Sequence, residues 1–383
     1  MTSDLLLALV VGAALTFDFT NGFHDTANVV ATSISTRALP PRVAILIASI
    51  LNFVGAFLSL KVAATIASGI VEADLITLQV VFAGLVGAIL WNLLTWWFGL
   101  PSSSSHALIG GVVGAMLAAA GPTAINGEGL VGKVIVPALV APILAFGVAG
   151  LAILFTYRIV GRLRPGPVTR GFRLGQIVSG SLLALAHGTN DAQKTMGIIT
   201  LALVAHGTLP AVDPEIPTWV VVSSAAAIAL GTLTGGARII RTMGSKIIKM
   251  DAAQGFSAQG SGAAVILAAT HVGFPLSTTH VISGGIVGAG AAKRLSAVRW
   301  GVAGNMAIAW VLTIPAAGAT GAVAYGISAL AGGGTAGPLV VCAILLLATG
   351  YFATARRTPP PLAETASPTD ESDPEPKTSG ASA

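Results

Sequence analysis

Two hydroxyl-rich loops, 174 residues apart, carry the side chains of this sequence best suited to chemistry: Pro101-Ser-Ser-Ser-Ser-His106-Ala-Leu-Ile-Gly-Gly and Pro275-Leu-Ser-Thr-Thr-His280-Val-Ile-Ser-Gly-Gly. In each, proline is first, histidine sixth, and a glycine pair tenth and eleventh. Ser103 to Ser105 and Ser277 to Thr279 would open the helices that follow, since Ser and Thr are favoured N-caps. The first N–H groups of a helix have no partner within it, and the helix dipole is positive there. Two such helix starts facing each other would cage the oxygens of an anion, with Ser104, Ser105, Thr278 and Thr279 as the hydroxyl ligands. Plain capping, each hydroxyl bonded to its own helix, is the simpler alternative.

A second pair of motifs is offset by 166 residues. Asn21-Gly-Phe-His-Asp25-Thr-Ala-Asn28 aligns with His187-Gly-Thr-Asn-Asp191-Ala-Gln-Lys194, setting Gly22 over Gly188 and Asp25 over Asp191. A carboxylate inside an apolar segment is costly and marks a functional candidate. Asp25 and Asp191, with neutral oxygens from Thr26, Asn28 and Asn190, suit a proton or a hard cation such as Na⁺ or Mg²⁺. Lys194 stands where the first motif has Asn28. Its ammonium would pair with Asp191 or neutralise a bound anion; a purely structural Asp–Lys pair is the alternative. His24, beside Asp25, is a further candidate for proton or metal contact. His106 and His280, at matching places, are expected to hold the loop tips. Asp18 would flank the outer mouth of such a site. No H-x-x-x-H or C-x-x-C spacing occurs, so no fixed metal and no cofactor is expected.

The segments that must position these residues are apolar. The chain is 54% hydrophobic and 9% charged, with 47 glycines, whereas soluble domains carry about 25% charged residues. Several apolar runs exceed the ~18 residues of a membrane-span candidate, and Gly and Ala let helices approach closely in lipid. An all-α polytopic membrane protein follows. The net charge of +5 lies between spans, where it sets topology; it is not a nucleic-acid footprint. The single Cys342 can form no internal disulfide. The first apolar segment lacks a basic flank and a small-residue cleavage site, so it reads as a retained span.

Lys and Arg concentrate at 37–42, 158–173, 238–249, 293–299 and 356–357, which places those connections in the cytoplasm. The loops at 70–76, 121–131 and 206–216 are then outside, as is the N-terminus. Segments 77–99 and 106–120 must enter and return on one side, and 254–273 and 280–292 on the other. The chain therefore reads as two inverted-topology repeats, 1–157 and 174–357. A basic linker, 158–173, joins them, and a disordered cytoplasmic tail, 358–383, follows. Each repeat is expected to hold a broken helix (5–34 or 174–205), interrupted at its glycine, and a re-entrant helical hairpin (77–120 or 254–292). A single span is expected over 43–69. Inverted repeats around a midplane site are the plan of secondary transporters. An intramembrane hydrolase using a serine nucleophile or the His24–Asp25 pair is the rival from another class.

The stretch Phe17-Asp-Phe-Thr-Asn-Gly-Phe-His-Asp-Thr-Ala-Asn28, its counterpart Ala186-His-Gly-Thr-Asn-Asp-Ala-Gln-Lys194 and the two P-x-S-[ST]-[ST]-H loops resemble the Pit family of inorganic phosphate transporters over about residues 5–330. The family pattern, G-x-N-D-x-x-N, fits Gly188-Thr-Asn-Asp191, whereas Gly22-Phe-His-Asp25 has His24 in place of Asn. That variant resembles the bacterial low-affinity branch. The resemblance implies phosphate import in the inner membrane by symport with H⁺ rather than Na⁺, often as a complex with Mg²⁺ or another divalent cation. It implies phosphate contacts from Ser104, Ser105, Thr278, Thr279, Asn28, Asn190 and Lys194. Cation contacts would come from Asp25, Asp191, His24 and Thr26, with Asp25 and Asp191 as the metal ligands. The partners are then phosphate, the lipid bilayer and, in a homo-oligomer, further copies of the chain. A sulfate-carrying branch of the family is the alternative.

Overall fold

A computed structural model describes residues 2–68, 71 and 75–354, almost wholly as α-helix. Helices α1 (Thr2–Ser35), α2 (Pro41–Gly55) and the short α3 (Lys61–Ser68) precede α4 (Leu78–Phe98) and α5 (Ser104–Ala120). A single turn, α6 (Gly127–Leu130), runs on through a wider π-turn into α7 (Val136–Val160). The order then repeats as α8 (Pro165–Ala205), α9 (Thr218–Thr234), the short α10 (Ala237–Arg241), α11 (Ala252–His271), α12 (Thr278–Lys293) and α13 (Trp300–Leu330). Helix α14 (Ala336–Thr354) ends the described chain. Helices α1, α4, α13 and the run Gly127–Val160 are long and apolar enough to cross a membrane. Helix α9 with Ala237–Lys246 qualifies as one span bent by 65°.

Packing between the halves comes in exchanged pairs. Helix α1 packs on α9 and α8 on α2; α5 packs on α13 and α12 on α7; α3 packs on α8 and α10 on α1. Glycine makes these approaches close. A Cβ on Gly110 would sit 2.5 Å from the Ile314 carbonyl oxygen of α13, and one on Gly284 would overlap the Pro142 carbonyl of α7. Those are the tenth residues of the two loop motifs.

The core has two apolar clusters with a polar layer between them. Helix α1 gives Val10, Ala14 and Phe17 to one cluster and Ala27, Val30 and Ile34 to the other. Helix α8 gives Leu183 and Ala186 to the second and Ala192, Met196 and Ile199 to the first. The two helices thus traverse the layers in opposite order. Their polar turns, Asp18–Thr26 and His187–Asp191, lie between the clusters.

Three expectations are corrected. Helices α1 and α8 are continuous through Asn21-Gly22 and His187-Gly188. The glycines serve contact instead of a break: a Cβ on Gly22 would overlap the Ile228 carbonyl of α9, and one on Gly188 the Asn52 carbonyl of α2. Neighbouring helices meet the two histidines of these turns, His24 through Thr95 of α4 and His187 through Asn52 of α2, and the backbone stays closed. The span expected over 43–69 is split at 56–60, where the chain turns so that α3 can dock on α8. The otherwise unpartnered N–H groups of Val62 and Ala63 donate to Gln193 Oε1 at 2.8 and 3.2 Å. The linker expected over 158–173 is helical from Pro165, a residue suited to a first helical turn. The tail expected over 358–383 lies outside the described residues.

Gly110→Ala should destabilise the detergent-solubilised protein by the ~1–3 kcal/mol typical of overpacking, read as a lowered thermal midpoint. Gly147→Ala, where an added Cβ meets nothing within 4 Å, should leave it unchanged.

Candidate functional site

Capping hydroxyls and inward-facing hydroxyls divide by position in each loop. Ser103 Oγ accepts the His106 N–H at 3.1 Å, and Ser277 Oγ accepts the His280 N–H at 3.3 Å. These serines are the N-caps of α5 and α12. The next two hydroxyls of each loop face the interior. The two tips touch, with Ser105 Oγ donating to the Leu276 carbonyl at 3.2 Å. The His106 and His280 rings meet edge to face, 4.7 Å between centroids, and His280 stacks on Trp310 at 4.2 Å. Trp310 Nε1 donates to the Pro101 carbonyl at 3.0 Å, which fastens the first tip to α13. The hairpins' first helices end on matching cations: Arg238 donates to the Trp97 carbonyl at 2.7 Å, and Lys61 to the His271 carbonyl at 2.8 Å. Cations are favoured at helix C-termini, so Lys61 has Arg238 as its counterpart in the other half.

The carboxylates meet these tips. Asp25 Oδ1 takes His24 Nδ1 at 2.8 Å and the hydroxyls of Ser104 and Thr279 at 3.4 Å each. Thr278 Oγ1 lies 3.3 Å from Asp25 Oδ2 and 3.4 Å from Asp191 Oδ2. Asn28 Nδ2 donates to Thr279 at 2.9 Å and to Thr278 at 3.3 Å. The Lys194 ammonium has three donors and three acceptors: Asp191 Oδ1 at 2.6 Å, Ser105 Oγ at 2.6 Å and the Leu276 carbonyl at 2.8 Å. All these side chains are at most 2% exposed. The site is closed to both faces of the molecule.

Of the residues expected here, His24, Asp25, Asn28, Ser104, Ser105, Asp191, Lys194, Thr278 and Thr279 come together. Two do not join them. The Thr26 hydroxyl bonds to the carbonyls of Gly22 and Thr232 at 2.7 and 3.2 Å, tying α1 to α9. The Asn190 amide donates to Thr270 Oγ1 at 2.8 Å and to the Phe274 carbonyl at 3.2 Å, bracing the second hairpin. Three residues went unrecognised in the sequence. His187 Nε2 lies 3.4 Å from Asp191 Oδ2, and ligand atoms of Asp25, His187 and Asp191 all fall within 4.8 Å of one another. The four-residue spacing of His187 and Asp191 on one helix was the available signal. Thr95 and Ser102 support His24, with Thr95 Oγ1 3.1 Å from His24 Nε2 and the two hydroxyls 2.9 Å apart. Nothing in the local sequence singled out Thr95, and Ser102 stood in the first hydroxyl loop ahead of the residues given a role.

Residues 21–321 match the model of the phosphate transporter family. A Mycobacterium bovis protein described as a probable low-affinity inorganic phosphate transporter is 52% identical, over 92% of this chain and 85% of its own length. Proteins of the same description from Rhizobium meliloti and Bacillus subtilis are 50% and 48% identical, over 85% and 84% of this chain and 98% and 96% of their own. A solved structure, that of a sodium-dependent phosphate transporter, superposes with a TM-score of 0.76 at 26% identity, over 85% of this chain and 99% of that one.

Lys194→Met leaves the Asp191 charge buried without its cation. It should cost about 3–5 kcal/mol of stability, and adding Asp191→Asn should restore part of the loss. Thermal unfolding of the two single variants and the double variant measures this coupling.

Proposed function

The chain belongs to the phosphate transporter family, and on that premise we propose that it imports inorganic phosphate by cation-coupled symport through the site between the hairpin tips. The observation that carries this reading is the Thr278 hydroxyl, within hydrogen-bonding reach of both Asp25 and Asp191. Anion ligands and cation-binding carboxylates are then one site. Phosphate brought against two carboxylates is repelled unless cations enter with it, so the geometry itself couples the two.

In this reading the hydroxyls of Ser104, Ser105, Thr278 and Thr279 and the first N–H groups of α5 and α12 hold the phosphate oxygens. Lys194 supplies a positive charge. Asp25 and Asp191 hold the coupling cation, with His24 and Asn28 steadying Asp25 and the tip hydroxyls. A proton is favoured over Na⁺, because an imidazole, which can carry a proton where an amide cannot, stands on Asp25 where the family pattern has Asn. For phosphate carried with a divalent cation, Asp25, His187 and Asp191 are the ligand set; the imidazole suits a transition ion better than Mg²⁺. Phosphate is favoured over sulfate by the acceptor-rich lining. The buried amide oxygen of Asn28 has no donor, and phosphate near neutral pH keeps an O–H where sulfate has none. Sites built to bond a hydroxyl reject analogues that lack it.

Hydrolysis is not supported, since a Ser105–Lys194 pair would need a neutral amine. All three Lys194 N–H groups are donating, one of them to a carboxylate. Alternating access by rocking of inverted halves is supported by the opposite order in which α1 and α8 cross the two apolar clusters. The cytoplasmic placement of the basic connections, with the N-terminus outside, is supported by contacts that join four of them, those at 37–42, 158–173, 238–249 and 293–299, in pairs. Arg173 reaches the Thr36 carbonyl, and Arg299 the Ser245 carbonyl, both at 3.1 Å.

Purified protein in liposomes should accumulate labelled phosphate under an imposed proton gradient, with excess sulfate failing to compete. Absence of uptake under proton and sodium gradients alike, with and without divalent cation, would overturn the proposal. Asp191→Asn and Thr278→Val should insert and fold, yet lose uptake by roughly 100-fold or more, the scale of about 3 kcal/mol at a buried charged site.

A further inference from the structure

The turn that joins α7 to α8 carries unpaired positive charge. Arg158, Arg162 and Arg164 are exposed there, and none of them forms an ion pair among the described residues. No acidic residue stands between Glu128 and Asp191 in the sequence. Asp251, which opens α11, is taken up by Tyr157 of α7 at 2.8 Å and by Lys293 at 3.4 Å. Helices α7 and α8 both pack on α11, and an apolar cleft of about 500 Å³ lies beside the turn. Val160, Leu163, Val168 and Phe172 line it, together with Phe256 of α11, and Arg164 is its one charged lining residue. The Phe172 and Phe256 rings are 5.6 Å apart. Gly171 lines the cleft as well, and a Cβ added there would meet nothing within 4 Å. The adjoining lengths of both helices expose large apolar side chains, Phe155 at 67% and Ile159 at 59% on α7, Leu174 at 66% and Val178 at 62% on α8. In a membrane protein such side chains face acyl chains. The cleft therefore lies where an acyl-facing surface meets a cationic turn.

We propose that this cleft binds one anionic phospholipid, with an acyl chain against Phe172 and Phe256 and the headgroup phosphate on Arg162 and Arg164. Guanidinium groups suit phosphate oxygens, which they can bond in pairs, and basic pockets between membrane helices recognise anionic headgroups. A zwitterionic lipid brings an ammonium group that the unpaired arginines repel. The other anionic candidate is the stretch 358–383 of this chain, with Glu364, Asp370, Glu371, Asp373 and Glu375. It matches the charge of the turn but not the apolar lining, since Leu362 is its single leucine and it has no aromatic residue. Phe256 belongs to the first helix of the second hairpin, so the lipid touches the element that carries Thr278 and Thr279. The site itself is independent of what the protein transports.

The test titrates the purified full chain, stripped of lipid in detergent, with phosphatidylglycerol or with phosphatidylcholine of the same acyl chains. Native mass spectrometry counts the lipid bound. The tightest phosphatidylglycerol should bind at one copy per chain, and phosphatidylcholine about tenfold more weakly. Arg164→Gln should weaken phosphatidylglycerol about fivefold, and Arg162→Gln with Arg164→Gln about 25-fold. Gly171→Leu fills the cleft from a position where the new Cβ meets no protein atom. It should weaken both lipids about tenfold, as for two methylenes kept from burial, and leave the thermal midpoint of the lipid-free protein unchanged. Equal binding of the two lipids, or wild-type phosphatidylglycerol binding in Gly171→Leu, overturns the site. So does phosphatidylglycerol binding that appears only once residues 358–383 are removed, which assigns the cleft to that acidic stretch instead. Should Gly171→Leu not be recovered folded, the variants at the exposed arginines decide the matter, and unchanged binding in them overturns the site.

Discussion

An ammonium group in the middle of an apolar bundle needs all of its hydrogen bonds and a counter-charge. Lys194 meets that demand from three directions: Asp191 on its own helix, Ser105 on the first tip and the Leu276 carbonyl on the second. One side chain therefore joins α8 to both hairpins. Neither hairpin can leave without stranding the charge, and anything that enters must offer Lys194 an equivalent acceptor. Phosphate oxygens are such an acceptor.

Close helix contact makes the arrangement possible. At Gly22, Gly188, Gly110 and Gly284 the neighbouring backbone occupies the place a Cβ would take. Each belongs to a pair, and each member packs on a helix of the opposite half. Without a hydrophobic drive between helices in lipid, such small-residue contacts and buried hydrogen bonds supply the cohesion. They also allow short polar side chains from α1, α5, α8 and α12 to reach one point. Longer separations would leave these groups facing one another across gaps too wide to bond.

The sequence by itself determined much of this. Composition dictated an all-helical membrane protein, because 9% charge in 383 residues cannot solvate a surface. The spacing of the two serine loops and the two aspartates marked the repeat and most of the site, since each motif is local and its chemistry depends on residues within one helical turn. The same local view misled where polarity was involved. Asn21-Gly22 looked like a helix break, yet a run of polar side chains inside a span is equally well satisfied by other helices.

Only the tertiary structure decided which polar groups share a site. Thr26 sits one residue from Asp25, but its hydroxyl bonds across to α9; His187, aligned with Asn21, turns toward Asp191. Ser103 and Ser277 were separable from their neighbours only once their caps were seen. The reason is physical: a residue's type fixes what it can bond, but helix packing fixes what lies within 3 Å of it, and that is set by contacts hundreds of residues away.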